Sequence, residues 1–300
     1  MTTYFARHTK RIDIDQETRD LLWREQWVAI HYNRYKDGHE WYTKESVSWD
    51  PAEYPENGKK PLRALMQLAE EGGYVCATYG DHDTCLVGYV APHSAREIIE
   101  GRRGSMHGVE GRCTLLKGVR LQRVKEVVPR HHTGIFVGAP QQTTLTRWVA
   151  VKSRIEDLVE VRVCRPSLDT LTEAELETLC AEFLRIRRAQ ELGLPRLSML
   201  LLPVGRTMKD IDIYGLADDG KPIYSQVTYG LSKSSQRGKT NVLRKYVADD
   251  NHVVFFGSYD MIHVEDGVLC CPITTVYEHF SQTLEGQTWI NFKGGVRDIQ

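Results

Sequence analysis

The chain has 300 residues, of which 39 are Lys or Arg and 40 are Asp or Glu, so its formal net charge is −1. This length predicts two domains, each long enough to bury a core. The balanced charge excludes a partner held by net charge alone, and the apolar runs are too short to cross a membrane. Seven scattered cysteines, with no Cys-x-x-Cys pair and no signal peptide, argue against a structural zinc site and predict free thiols in a cytoplasmic protein.

Short strands dominate the predicted first half of the chain. Residues 1–20 are polar and predict no element, whereas residues 23–32 end in a predicted strand. A helix is predicted over residues 61–71, because Pro61 suits a first turn and Gly72-Gly73 ends the apolar periodicity. Further strands are predicted at 74–79, 85–90, 114–128 and 148–151. This succession predicts a small β-barrel-like domain over residues 1–165.

Three strings of that half resemble strands of the PUA/EVE-like barrels. They lie at residues 27–30 (Trp-Val-Ala-Ile), 86–90 (Leu-Val-Gly-Tyr-Val) and 148–151 (Trp-Val-Ala-Val). Members of that superfamily often bind nucleic acid, and some hold a modified base in an aromatic pocket. The resemblance implies a target-recognition domain, in which Trp41, Tyr42 and Trp49 are the candidates to stack on a flipped base. The alternative for these aromatic residues is packing in the core and loops of the barrel.

Two segments are locally basic despite the overall balance. Residues 96–154 contain 12 Lys or Arg against 4 Glu, and residues 233–245 contain five basic residues and no acid. Such segments attract polyanions, which makes the Gly-flanked pair Arg102-Arg103 and the later Arg237 and Arg244 candidates for contact with DNA phosphates. A solvated basic surface is the alternative.

The second half, residues 166–300, is predicted to hold a mixed sheet flanked by helices. Thr172 and Glu175 form a capping box that opens a helix running to about residue 191. Strands at 197–203, 210–214 and 222–228 follow, then a helix at 239–247, strands at 252–256 and 267–273, and a helix at 274–284. The order is α-β-β-β-α-β with a final strand and helix, an α+β or α/β arrangement.

The hairpin over residues 209–228 carries the candidate chemistry. Asp210 and Asp212 alternate with apolar residues, Asp219-Gly220 supplies the turn, and Gln226 lies on the returning strand. An acid and an amide that converge across a hairpin suit a hard cation such as Mg²⁺.

Asp212 followed by Gln226-Val227-Thr228 in this order of elements resembles the PD-(D/E)XK nuclease superfamily, in its Mrr-like restriction branch, over residues 168–285. The resemblance implies that Asp212, Gln226 and the carbonyl of Val227 bind Mg²⁺ or Mn²⁺. It also implies a helical acid, Glu182, with Glu177 as the weaker choice. Asp210 competes with Asp212, which is preferred because Gly215 follows it as in the family's Asp-x-x-Gly pattern.

Thr228 stands where the family has a Lys, and Lys233 or Lys239 is expected to replace it from the next helix. The resemblance implies a metal-dependent endonuclease for double-stranded DNA, plain or carrying modified bases, of a kind used in restriction or phage defence. A homodimer is expected, because two cuts in a duplex usually need two active sites. The alternatives are a nuclease fold with a lapsed site, which binds nucleic acid or recruits a partner, and an RNA-directed protein.

Overall fold

The computed structural model describes the chain apart from residues 10–11, 33–46, 105–110, 137, 141–143, 163–166, 202–209, 231 and 295–300, and apart from the side chains of residues 150, 152, 233 and 294. The chain forms two compact units, one of Met1–Arg165 with Phe292–Gln300 and the other of Pro166–Asn291. Both units mix helices with strands. Within the described ranges, none of the helices has both the length and the apolar character needed to cross a lipid bilayer.

The first unit contains eight strands and four α-helices in its described part. The strands are β1 (Thr3–His8), β2 (Trp27–Ile30), β3 (Gly73–Tyr79), β4 (Cys85–Val90), β5 (Glu97–Arg102), β6 (Cys113–Arg120), β7 (Gln122–Val127) and β8 (Leu145–Arg147). The helices are α1 (Gln16–Arg24), α2 (Glu56–Glu71), α3 (Thr133–Phe136) and α4 (Lys152–Val159). One sheet has the order β7-β4-β3-β1-β8 and the other the order β2-β6-β5. Both are open sheets, so the described residues form no closed barrel of the kind predicted.

Strand β1 lies inside the larger sheet, although residues 1–20 predict no element. It pairs in parallel with β3 and antiparallel with β8. Tyr4 and Ala6 pack into one hydrophobic cluster, and Phe5 packs into another on the opposite face. A strand buried on both faces shows no alternation of polar and apolar residues, which explains why the sequence pattern conceals it.

Three other predictions for this unit need correction. Helix α2 begins at Glu56, five residues before Pro61, and does end at Gly72 with a φ of 73°. The predicted strand over 114–128 is two strands, β6 and β7, which belong to different sheets. The predicted strand over 148–151 is a short 3₁₀ turn that leads into α4.

The second unit is built on one six-stranded mixed sheet. Its strands are β9 (Leu197–Leu200), β10 (Ile213–Ala217), β11 (Pro222–Val227), β12 (His252–Gly257), β13 (His263–Glu265) and β14 (Val268–Pro272). Its helices are α5 (Glu173–Arg185), α6 (Arg187–Glu191), α7 (Lys233–Leu243) and α8 (Ile273–Ser281), and α9 (Leu284–Gly294) follows. The strand order is β13-β14-β12-β11-β10-β9, in which β12 is parallel to both β11 and β14.

Helices cover both faces of this sheet. Helix α5 packs on β9 and β11, and α7 packs on β11 and β12. The capping box at the start of α5 is present, with Glu175 N 3.2 Å from Thr172 Oγ1 and Thr172 N 2.9 Å from the Glu175 carboxylate. Helix α7 begins at Lys233 rather than at residue 239, because Ser232 caps it. The basic segment of the second half is therefore helical and lies against the sheet.

Candidate functional site

Asp212 lies one residue before the start of β10, next to the peptide that joins Gln226 to Val227. Its backbone N–H donates to Ser225 O at 2.9 Å, and its Oδ2 accepts from Val227 N at 2.8 Å. The side chain thus extends the hydrogen-bond ladder between β10 and β11. The prediction placed Asp210 and Asp212 within the strand, but β10 starts at Ile213, so both acids precede it.

Gln226 is buried on β11, and its side chain faces α7. Ile223 and Val227 pack with the residues of α5 and α8, so the alternate residue Gln226 projects to the opposite face. Gln226 is 6% exposed, and its Oε1 has no hydrogen-bond partner among the described residues. An unpaired buried amide oxygen costs about 1–3 kcal/mol. Such an atom fits the ligand role that the resemblance to the nuclease family implies for Gln226.

Lys239 reaches from α7 to Thr228, the residue at which the predicted nuclease motif would have a lysine. Its Nζ donates to Thr228 Oγ1 at 2.6 Å. Thr228 lies two residues after Gln226. The hydrogen bonds between β11 and β12 continue through Thr228, whose N–H donates to Phe256 O at 2.9 Å. The side chains of Gln226 and Thr228 therefore share the face that α7 covers. The structure therefore places the Lys239 ammonium group beside Thr228, a residue that carries no charge of its own.

Of the two acids predicted on α5, Glu177 shares the electrostatic surroundings of Asp212. Burial raises the pKa of the Cys180 thiol well above its usual value, and the charges of Asp212 and Glu177 raise it further. Glu177 lies three residues before Cys180 and so faces the same side of the helix, whereas Glu182 is turned away from it. Asp212 and Glu177 therefore both act on the Cys180 thiol, whereas Glu182 lies on another side of α5. The side chain of Lys233 lies outside the described residues.

The predicted DNA contacts differ in exposure. Arg102 and Arg237 are exposed. Arg103 is 4% exposed and pairs with Asp13 at 3.5 Å, so a buried ion pair holds it away from the surface. Arg244 lies in the short turn after α7, where it pairs with Glu265 and Asp266.

The predicted base-recognition residues are only partly described. Trp49 is half-buried against the core of the first unit, and the guanidinium of Arg96 lies 5.4 Å from its ring centroid. This contact is a cation–π pair rather than an open stacking face. Trp41 and Tyr42 lie outside the described residues.

A second cluster of ligand-type side chains was missed. His263, Glu265 and Cys270 offer ligand atoms that all lie within 4.8 Å of one another. The signal is present in the sequence, because Asp266-Gly267 predicts a two-residue turn that places His263 opposite Cys270. Counting cysteine spacings along the chain does not detect a site assembled across a hairpin.

Comparison of the chain with protein-family models, with curated proteins and with solved structures finds no match.

Proposed function

We propose that the second unit is a Mg²⁺- or Mn²⁺-dependent endonuclease for double-stranded DNA, and that the first unit recognises the target. The contact between Lys239 and Thr228 carries the proposal. It places the positive charge of Lys239 at Thr228, the position where the proposed nuclease motif would have its lysine. A hydrophobic or uncharged neighbour at that point would have left the motif without a group to stabilise the developing charge on phosphorus.

Three oxygen donors of these neighbouring strands suit a hard cation. They are the Asp212 carboxylate, the unpaired amide oxygen of Gln226 and the carbonyl of Val227. With only one full negative charge among these three donors, the substrate phosphate is needed to complete the binding of Mg²⁺. When bound there, the cation would polarise a phosphoryl oxygen and lower the pKa of a coordinated water. Lys239 would hold its proton and stabilise the phosphate charge.

Helix α7 supplies the surface for the flanking backbone. Arg237 is exposed on it two residues before Lys239, and no acidic residue lies between Lys233 and Leu243. Phosphate contacts of this kind set the register of a protein on DNA and carry no sequence information. Target choice is therefore assigned to the first unit, where Arg102 is exposed at the end of β5.

The test is nicking of supercoiled plasmid and of plain or base-modified phage DNA in Mg²⁺ or Mn²⁺. Asp212→Asn keeps an oxygen acceptor for the N–H of Val227 but removes the charge. We expect it to lose at least about 10²-fold in rate, the usual effect of removing a group that stabilises the transition state. Asp210→Asn is the matched control, and it should cleave as the wild type does. Equal activity of Asp212→Asn and the wild type would remove the proposed site.

A second candidate is a nucleic-acid-binding module on the same fold without cleavage. It is favoured by one observation: Asp212 is already engaged by the backbone of Val227, which is a structural role for the acid. For this candidate we expect DNA binding that weakens as salt is added and needs no metal, and no nicking of DNA with any cation. Competition between duplex DNA and structured RNA in the same binding assay identifies an RNA-directed protein.

A further inference from the structure

The edge hairpin β13–β14 has a geometry that brings three different ligand types to one side. Asp266 and Gly267 both have positive φ, 48° and 82°, which is the conformation of a two-residue type I′ turn. The turn pairs Glu265 with Val268 and His263 with Cys270. Opposed residues and residues two apart on a strand share a face, so His263, Glu265 and Cys270 all project to the same side.

The three ligand atoms are near the separation that a zinc ion requires. They lie within 4.8 Å of one another. Zinc bonds to nitrogen, oxygen and sulfur of about 2.0–2.3 Å in a tetrahedron place ligand atoms about 3.3–3.8 Å apart. Side-chain rotations must close this difference when the ion binds. Imidazole and thiolate ligands favour Zn²⁺ and similar transition metals, and a thiolate discriminates against Mg²⁺ and Ca²⁺.

Neighbouring groups already orient each of these side chains. His263 Nδ1 lies 3.1 Å from Met261 O, and a carbonyl can only accept, so Nδ1 carries the proton and Nε2 is the nitrogen with a lone pair. Arg244 donates to Glu265 at 3.4 Å, which leaves the second carboxylate oxygen as a ligand. The ring of Tyr259 meets the ring of His263 edge to face at 5.0 Å, and the Cys270 thiol donates to Val268 O at 3.8 Å. Partners of this kind are typical of metal ligands.

A cleft opens beside the cluster. It encloses about 370 Å³, and His263 and Glu265 form part of its wall together with Gln236, Arg237, Ser258 and Asp260. Three protein ligands with access to solvent on the remaining side are the arrangement of zinc sites that keep a position for water or substrate, whereas structural sites are closed by four protein ligands. Arg237 in this wall offers a positive charge to an anionic group in that position.

We infer that His263, Glu265 and Cys270 bind a zinc-class divalent cation whose fourth coordination position opens to this cleft. The inference does not rest on the proposed nuclease site, which uses oxygen ligands on β10 and β11. Binding requires the Cys270 thiol to lose its proton to solvent as the Zn–S bond forms.

The test measures metal on the full chain after removal of metal with a chelator. Zn²⁺ is titrated in competition with a chromophoric chelator, and Co²⁺ is added separately to look for thiolate-to-cobalt charge-transfer absorption. We expect a single ion per chain and a charge-transfer band. Cys270→Ala should weaken Zn²⁺ binding by more than about tenfold, since loss of a group that only orients a metal ligand already costs about 10–100-fold.

Cys271→Ala is the matched control. Cys270 and Cys271 are adjacent on β14 and both are 0% exposed, but Cys271 packs in the cluster with α5 and α8 on the other face. Both variants remove a buried thiol, and only Cys270→Ala should lose the metal and the band. Glu265→Gln, at a half-buried position that tolerates the amide, should also weaken Zn²⁺ binding. Equal affinity of the two cysteine variants, or no stoichiometric zinc on the wild type, would overturn the inference. Asp212→Asn should bind zinc normally, so the two sites fail separately.

Discussion

The two hairpins of the second sheet carry polar side chains, yet they bring them together differently. In β13–β14 a two-residue turn leaves Glu265 paired with Val268 directly at the loop, so every ligand stays in register on one face. In β10–β11 the loop is longer, with Leu216 paired to Pro222, and Asp212 lies just before the first residue of β10. Its carboxylate turns into the ladder, whereas Gln226 projects toward α7.

The difference shows that the lengths of the turn and of the strands decide which side chains of a hairpin come together on one face. Ligands that lie inside a paired hairpin inherit their arrangement from the backbone register. Ligands that lie past a strand end need a third element to complete the arrangement. In the central hairpin that element is α7, which supplies Lys239. The candidate site of the edge hairpin consists of residues of that hairpin alone, whereas the candidate site of the central hairpin also needs Lys239 of α7.

The largest expected effect comes from removing the contribution of α7. Lys239→Ala should lower the rate of DNA cleavage by about 10²–10³-fold, the loss found when one group that stabilises transition-state charge is deleted. Rates of plasmid nicking measure it. Lys245→Ala, at an exposed basic residue near the end of the same segment, is the control for general loss of positive charge. If both variants lose activity equally, α7 contributes charge to the surface and no specific group to the site.

The turns of the two hairpins give the next comparison. Gly220 and Gly267 have nearly equal φ values, 80° and 82°, but a Cβ on Gly267 would lie 2.5 Å from Val247 Cγ1, whereas a Cβ on Gly220 meets nothing within 4 Å. Positive φ costs an L-residue about 1–2 kcal/mol, and the clash adds about 1 kcal/mol or more. Gly267→Ala should therefore lower the free energy of unfolding by about 2–3 kcal/mol, and Gly220→Ala by about 1–2 kcal/mol, in urea titrations. Equal losses would mean that Val247, which is 40% exposed, moves aside freely.

Much of the second unit was predictable because its signals are local. The capping box at Thr172, the Asp219-Gly220 turn and the apolar strand β12 all appear where the sequence predicts them. Strand β13 and the hairpin it forms were missed, because three residues are too few to show periodicity. In the candidate site, Asp212 lies beside the Gln226–Val227 peptide and Lys239 contacts Thr228. The hydrogen bond that holds Asp212 depends on where β10 begins, which the sequence pattern placed too early.

The first unit was harder to predict because its signals are non-local. Strand β1 is recognised only through its partners β3 and β8, which lie about seventy and more than one hundred residues along the chain. Arg103 illustrates the same difficulty at the level of one residue. A Gly-flanked Arg pair is typical of a phosphate-contacting loop, and only the fold shows that Asp13 takes one of the two side chains into a buried pair.

The smallest expected effect tests whether Gln226 is kept for function rather than for stability. Gln226→Met removes a buried amide oxygen that has no partner among the described residues and fills similar space with an apolar chain. We expect the free energy of unfolding in chelator to rise by about 1 kcal/mol, because the desolvation penalty of the amide is lost. Added Mg²⁺ with DNA should stabilise the wild type more than the variant, since a ligand that binds the folded state raises stability in proportion to its affinity. Thermal unfolding with and without Mg²⁺ and DNA measures both effects. If Gln226→Met is instead less stable than the wild type in chelator, the amide stabilises the folded chain without any cation. The unpaired oxygen of Gln226 would then no longer support a cation site at the central hairpin.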